Sequence, residues 1–403
     1  MRDTMSVRRI AIITSETPNS LYAGSMQLLR VFRDYPEEKL MVLGPMPPPG
    51  AKLLDCAYRH LRFPMMRWRN TRFHCHAMSL VVLQRWFRRA PRHVAGLLGD
   101  FQPDAVFTVM DNFSHYFTAY EYARFAGLPL ITMTMDEPDS FEKILPVVKP
   151  MQQRKIAEVY RYAERNLCVS RQMTAHIHSS YACSAETFYF GPPDGVEPRP
   201  AEESRRLRRE GRLVLGFAGT LGYGYGETLQ LVCSTLRHAP VTIRIYSRDE
   251  PAWAAPNMEY AGCLPSEELW PRFKAECDAS LLVYNFRYTD SRLYRTHFPT
   301  KLSEYAWLGM PMVMVGPDYA TGIVWGLEHS KAALLDTEES LSTLAFKLSK
   351  LLIDPSLRVS MARAAAEAAL REFDPRAVRR TFRAVLSGPM DCGGRDVSHA
   401  AAS

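Results

Sequence analysis

The densest chemistry in this 403-residue chain lies in His297-Phe298-Pro299-Thr300-Lys301-Leu302-Ser303-Glu304-Tyr305, which runs on to Gly309, Pro311 and the apolar stretch Met312 to Val315. Thr300 is a good helix N-cap, Gly309 fits the residue just past a helix end, and Pro311 forbids continuation. The spacing therefore predicts a helix of about two turns. Its first turn would present unpaired backbone N–H groups, and Lys301 would add a full positive charge, which together make an anion site suited to a diphosphate. Glu304, three residues beyond Lys301, shares its helix face, where a carboxylate can accept hydrogen bonds from ribose or sugar hydroxyls. The same two residues would also make an ordinary surface ion pair.

Further candidates lie at the ends of strand-like runs. Arg248 follows the run from Val241 to Tyr246, and Arg287, Arg292 and Arg295 precede the predicted helix; each is a cation for a diphosphate or a solvated loop charge. Gly216, Gly219, Gly222, Gly224 and Gly226 form a glycine-rich turn, but position 227 is Glu, so the dinucleotide fingerprint fails in register. What remains suits close backbone approach to phosphate, or a tight turn. In the first half, Asp111 and His115 follow the run from Ala105 to Met110, and Asp136 and Glu137 follow Pro129 to Thr134. Such positions can hold a hydroxyl and accept its proton, and they also serve as caps and turn formers.

Strand-like runs at Arg9 to Thr14, Leu40 to Leu43, Ala105 to Met110, Pro129 to Thr134 and Asn166 to Ser170 alternate with helical stretches. The alternation restarts at Leu213 to Ala218, Val241 to Tyr246, Ala279 to Val283 and Met312 to Val315. Short apolar strands separated by helices predict parallel sheets covered on both faces, so the fold class is α/β with two doubly wound domains. Between them, Phe188 to Gly211 is rich in Pro, Gly and charge and reads as an exposed connection. The expected domains are 1–197 and 198–386, ending in a helical run from Pro355 to Leu386, with a frayed tail over 387–403. Ligands of such sheets bind beyond the carboxyl ends of the strands, so two of them build a cleft.

Phe-Pro-x-Lys-Leu-x-Glu-Tyr followed by Gly-x-Pro and an apolar strand resembles the donor-binding motif of sugar-nucleotide-dependent glycosyltransferases of the GT-B fold, in particular the large retaining family 4. Phe217-Ala218-Gly219-Thr220-Leu221-Gly222, Cys277 to Leu282, Ala163 to Ser170 and Pro103 to Val106 resemble other strands and turns of that family, over about residues 8 to 386. The resemblance implies two Rossmann-like domains facing across a cleft, with a terminal helix that crosses back to the first. It implies transfer of a hexosyl group, with retention, from a nucleotide diphosphate sugar to a hydroxyl of a glycan or lipid-linked acceptor, in cell-surface polysaccharide or glycolipid synthesis. The donor would be held by Gly24, Gly219, Gly222, Arg248, Arg295, Thr300, Lys301 and Glu304, and the acceptor oriented by Asp111, His115 or Asp136. Preorganised charge at the helix start would stabilise the leaving diphosphate without requiring a bound metal or a cofactor. The family's first glutamate, eight residues before Glu304, is replaced by Thr296, and its histidine is absent from Ile131 to Asp136. A sugar-nucleotide epimerase and a non-catalytic sugar-nucleotide-binding protein are the alternatives.

Charge is concentrated in one place. Ala57 to Gly99 contains nine arginines and no Asp, Glu or Lys, which exceeds the formal net charge of +7, so the remainder of the chain is slightly acidic. Aromatic residues alternate with these arginines, and Arg67, Trp68, Arg69, Arg85, Trp86, Arg88 and Arg89 are the candidate contacts to an anionic membrane surface or to the acceptor. Nucleic acid or a solvated helix face would use similar residues. A lipid-linked acceptor favours the membrane, and no nucleic-acid partner is expected. No apolar run approaches the length of a membrane span, and Ile10 to Ile13 reads as a buried strand rather than a secretory segment. The cysteines show no metal-ligand spacing, so reduced thiols are expected in a cytoplasmic protein, peripheral at the inner face of the membrane.

Overall fold

The computed structural model describes residues 7–63, 71, 73–83, 89–138, 144–289 and 291–388. Among them, β1 (Ile10–Ile13), β2 (Leu40–Gly44), β3 (Ala57–His60), β4 (Ala105–Val109), β5 (Leu130–Thr134), β6 (Arg165–Cys168) and β7 (Glu186–Thr187) form one sheet in the order β3-β2-β1-β4-β5-β6-β7. A second sheet, β10-β9-β8-β11-β12-β13, contains β8 (Leu213–Ala218), β9 (Val241–Tyr246), β10 (Met258–Tyr260), β11 (Ala279–Val283), β12 (Met312–Val315) and β13 (Ala333–Asp336). All their pairings are parallel. The central strands are buried along their whole length, as expected when helices cover both faces of a parallel sheet.

The helices of the first half are α1 (Ala23–Phe32), α2 (His74–Leu83), α3 (Ala90–Leu98), α4 (Phe113–Ala126), α5 (Lys149–Tyr162) and α6 (Arg171–Tyr181). Those of the second are α7 (Tyr225–Thr235), α8 (Ser266–Glu276), α9 (Ser291–Thr296), α10 (Thr300–Trp307), α11 (Thr321–Glu328), α12 (Leu344–Ile353), α13 (Pro355–Glu372) and α14 (Pro375–Ser387). The predicted helical run at the end is thus two helices. Asp374 accepts the Arg376 N–H and Pro375 cannot continue α13, so the chain turns there.

That turn sends α14 back onto the first sheet's side of the molecule. The Phe382 ring stands edge-on to Phe32 and to Phe107, with centroids 4.9 and 5.7 Å away, and Arg379 pairs with Asp34 at 2.9 Å and Asp194 at 2.6 Å. The connection expected to be exposed is partly interior. Phe188 and Phe190 are buried, and Arg199 is 4% exposed, its guanidinium donating to the carbonyls of Cys277 (3.0 Å) and Asp278 (3.2 Å) and to Ser204 Oγ (2.7 Å). An arginine can be buried when its fan of donors meets that many acceptors, and this one ties the connection to the second sheet. The last fifteen residues lie outside the described set.

Chain order reverses between β1 and β4 in one sheet and between β8 and β11 in the other. These are the topological switch points where doubly wound sheets leave a crevice for ligands.

Candidate functional site

A cavity of about 280 Å³ opens between the two sheets. One wall is Ala23, Gly24 and Gln27 of α1 with Met135 and Asp136 after β5, and the other is Phe217 and Thr220 near the end of β8, Tyr223, His297 and the start of α10.

The helix α10 is where the spacing placed it, but its cap differs. Pro299 occupies the N-cap position with φ −70° and ψ 119°, its carbonyl accepting the Leu302 N–H at 2.9 Å, and Thr300 is the first helical residue. Proline is already set near the required φ and has no N–H to strand, so it displaces threonine from that place, and no side chain caps the first turn. Gly309, at φ 64°, ends the helix as expected.

Lys301 follows Thr300 on the cavity wall. A Cβ on Gly219 would collide with Lys301 Cε and lie 3.1 Å from Nζ, so the absence of a side chain there makes the slot the lysine occupies. Burial pushes the ammonium below the usual lysine range, Glu304 opposing and Arg30 adding to the effect. Among the described residues no carboxylate lies within ion-pair distance of Nζ. Glu304, 7% exposed, is engaged by Arg30 of α1 at 3.0 Å, across the cleft. The alternative reading, a surface pair of Lys301 with Glu304, therefore gives way to a pair between the two halves of the molecule. Arg30 escaped the sequence reading, although Ala23, Gln27 and Arg30 recur at i, i+4 and i+7 on one face of α1.

Asp136 meets His297 from the opposite wall, Oδ1 to Nδ1 at 2.9 Å. Burial alone would lower the imidazole pKa, but the Asp136 charge and hydrogen bond, with the Met135 backbone, outweigh it and raise it. Thr296 donates to Glu137 at 3.4 Å. His297, from the second half of the chain, and Glu137, from the first, thus each meet a partner from the other half.

Asp111 lies at the β1/β4 switch point, where Ser15 donates to Oδ2 and the Asn112 N–H to Oδ1 at 2.7 Å. Burial pushes its carboxyl up from 3.8 to about 7, Ser15 resisting and Glu16 reinforcing the rise. The folded state then holds this proton more tightly than the unfolded chain. Its contribution to stability is full below 3.8 and is lost as pH rises through about 7. Thermal unfolding followed from pH 4 to 8 should show that loss, and Asp111→Asn should remove it; an unchanged slope in the variant contradicts the assignment.

The other candidates fall elsewhere. His115 is buried on α4, its ring 4.7 Å from that of Phe63 and Nδ1 3.1 Å from the Asn112 side-chain oxygen, so it packs the first half's core instead of facing the cavity. Arg248 is exposed beyond β9, Arg295 stacks on Tyr319 with its guanidinium 4.0 Å from the ring centroid, Arg287 pairs with Glu339, and Arg292 stands 4.0 Å from Glu137. None of these arginines lines the cavity, because proximity to α10 in sequence does not aim a side chain at its N-terminus. Gly222 is exposed between two lining residues, whereas Gly24 lines the wall, a Cβ there lying 3.2 Å from the Glu16 carboxylate. Among the described residues no three His, Cys, Asp or Glu side chains converge, and no helix is long and apolar enough to cross a membrane.

Of the proposed docking residues, Arg67, Trp68, Arg69, Arg85, Trp86 and Arg88 lie outside the described set. Arg89 is exposed just before α3 with Arg92 nearby, and α2 and its approach expose Phe73, Leu80 and Leu83.

No family model matches the chain, and no curated protein matches it. Solved structures do match along nearly its whole length. Anabaena Alr3699/HepE in complex with UDP and glucose aligns with TM-score 0.63 and 14% identity, over 95% of this chain and 100% of that one. Sucrose-phosphate synthase from Thermosynechococcus elongatus aligns with TM-score 0.65 and 10% identity, over 94% and 98%. WaaG, a glycosyltransferase involved in lipopolysaccharide biosynthesis, aligns with TM-score 0.59 and 12% identity, over 94% and 100%. The fold is GT-B: two Rossmann-like sheets, each flanked by helices, facing across a cleft.

Proposed function

We propose that this chain is a glycosyltransferase that moves a sugar from a nucleotide diphosphate sugar to a hydroxyl of a glycan or lipid-linked acceptor. The observation that carries the reading is Lys301, a half-buried ammonium seated against the Gly219 turn in the interdomain cavity with no carboxylate within ion-pair distance among the described residues. A desolvated cation beside the uncapped first turn of a helix is stabilised by an anion, and a diphosphate supplies one of the right size at the place where leaving-group charge develops. The neighbours' ligands agree with this: Alr3699/HepE is described with UDP and glucose, and WaaG as a glycosyltransferase.

In this scheme residues 1–197 form the acceptor side and 198–386 the donor side. Lys301 and the α10 N–H groups at Thr300 hold the diphosphate, with Gly24 approaching from the opposite wall. Glu304 exchanges its Arg30 partner for donor hydroxyls. The acceptor hydroxyl, oriented by Asp136 or by Asp111, attacks from the face the diphosphate leaves, which gives retention. The exposed Arg89, Arg92, Phe73, Leu80 and Leu83 are basic and apolar groups of the kind that meet anionic lipid, which fits a protein peripheral at the cytoplasmic face of a membrane.

The test is turnover across UDP-, GDP- and ADP-sugars with acceptor presented in anionic or neutral vesicles. Transfer from one nucleotide class, faster on anionic vesicles, is the expected result. Binding without turnover under every acceptor overturns the enzymatic reading, and equal rates on both vesicles overturn the membrane part.

A further inference from the structure

Along α1, Ala23, Gln27 and Arg30 share the face turned to the cleft, and the first two line the cavity. Other polar groups on this helix are already engaged. Ser25 Oγ donates to Glu16 at 2.8 Å, and Arg30 holds Glu304 at 3.0 Å. Gln27 is different: it is 3% exposed, and its Oε1 is buried without a hydrogen-bond partner. A buried amide oxygen left unpaired is costly, so its persistence on a cavity wall points to a ligand group.

The chemistry of the amide restricts that group. A half-turn of its last torsion exchanges carbonyl oxygen and NH₂, so the partner that satisfies either orientation is one that both donates and accepts. A hydroxyl does so, whereas a phosphate oxygen only accepts. We infer that Gln27 is a binding residue contributed by the first domain, hydrogen-bonded to a sugar hydroxyl of the donor, so that the donor site is complete only with both walls in place. The inference rests on the reading of the cleft as a nucleotide-sugar site. The hydroxyl belongs either to the ribose or to the transferred sugar, which share this chemistry.

Gln27→Met retains the length of the side chain and removes both polar atoms. If Gln27 merely packed, the variant would unfold at an equal or higher temperature and bind ligands as the wild type does, because an unpaired buried carbonyl has been removed. The expected result is unimpaired stability with affinity for the nucleotide sugar about fivefold to tenfold lower by calorimetric titration, the loss of one hydrogen bond. A loss already present with the nucleoside diphosphate alone assigns the hydroxyl to ribose, and a loss confined to the nucleotide sugar assigns it to the transferred sugar. Gln27→Asn, which keeps the amide but withdraws it by one methylene, gives the same readout should the methionine variant fold poorly. Equal affinities of wild type and variant for every ligand the wild type binds overturn the inference alone. A wild type that binds none of the UDP, GDP and ADP ligands overturns the functional reading and this inference with it.

Discussion

Lys301→Met lowers kcat/KM for sugar transfer by about 10²- to 10³-fold, the scale of losing one preorganised donor at a developing anion, while the fold keeps or gains stability. The two halves of that expectation come from the same observation. The ammonium is half-buried and pushed below the ordinary lysine range by desolvation, and among the described residues it has no paired carboxylate, Glu304 being bound to Arg30. Without ligand it is a cost to the folded state, and methionine of similar length removes that cost. With a diphosphate in place it becomes the principal cation on the donor wall, since Arg248, Arg287, Arg292 and Arg295 do not line the cavity. Steady-state kinetics with thermal unfolding of the same variant checks both halves. An unchanged donor affinity would show that the phosphates lie elsewhere.

Glu304→Ala should destabilise the protein by about 3 kcal/mol, the lower end of what removing one partner of a buried ion pair costs. The pair is well enclosed, with side-chain exposures of 13% for Arg30 and 9% for Glu304. The truncation leaves the guanidinium without its counter-charge at the interface of the two domains, so the unfolding temperature should drop by several degrees. Replacing both residues, as in Arg30→Met with Glu304→Met, removes the unpaired charge and should recover most of that loss, since apolar isosteres of buried pairs are tolerated. Donor affinity should not recover, because the carboxylate that accepts donor hydroxyls is still missing. Recovery of stability and affinity together would make the pair purely structural.

How much of this could be read from the sequence depended on whether the signal was local. β8, β9, β11 and β12 have the predicted limits because each is an apolar run bounded by polar or turn-forming residues. β3, with sequence AYRH, and the two-residue β7 lie at a sheet edge with little burial, so no apolar run announces them. The α10 helix was legible because Pro, Thr, Gly and Pro punctuate it within a dozen residues, and the error was one position at the cap. The same spacing places Lys301 and Glu304 within that helix.

The partners of these residues were not legible. Arg30 meets Glu304 across 274 positions, and His297 meets Asp136 from the other side of the cleft; only the way the two sheets face each other brings them together. Gln27 carries no motif at all, and its signal is an unpaired atom that exists only once the chain is folded. Conversely, the arginines before α10 looked suitable by distance along the chain, yet Arg295, in the last turn of α9, stacks on Tyr319. His115 follows a strand as a site residue should, but as the third residue of α4 it lies in the core.

On the proposed reading, the cleft binds a nucleoside diphosphate at the slot formed by Lys301 and Gly219. A crystal structure of the wild-type protein with the nucleoside diphosphate that binds most tightly tests it directly. A phosphate oxygen is expected within hydrogen-bonding distance of Lys301 Nζ and of the first N–H groups of α10, with Glu304 turned from Arg30 toward a ligand hydroxyl. A nucleotide seated elsewhere, with Lys301 still packed on Gly219 and no anion beside it, would contradict it.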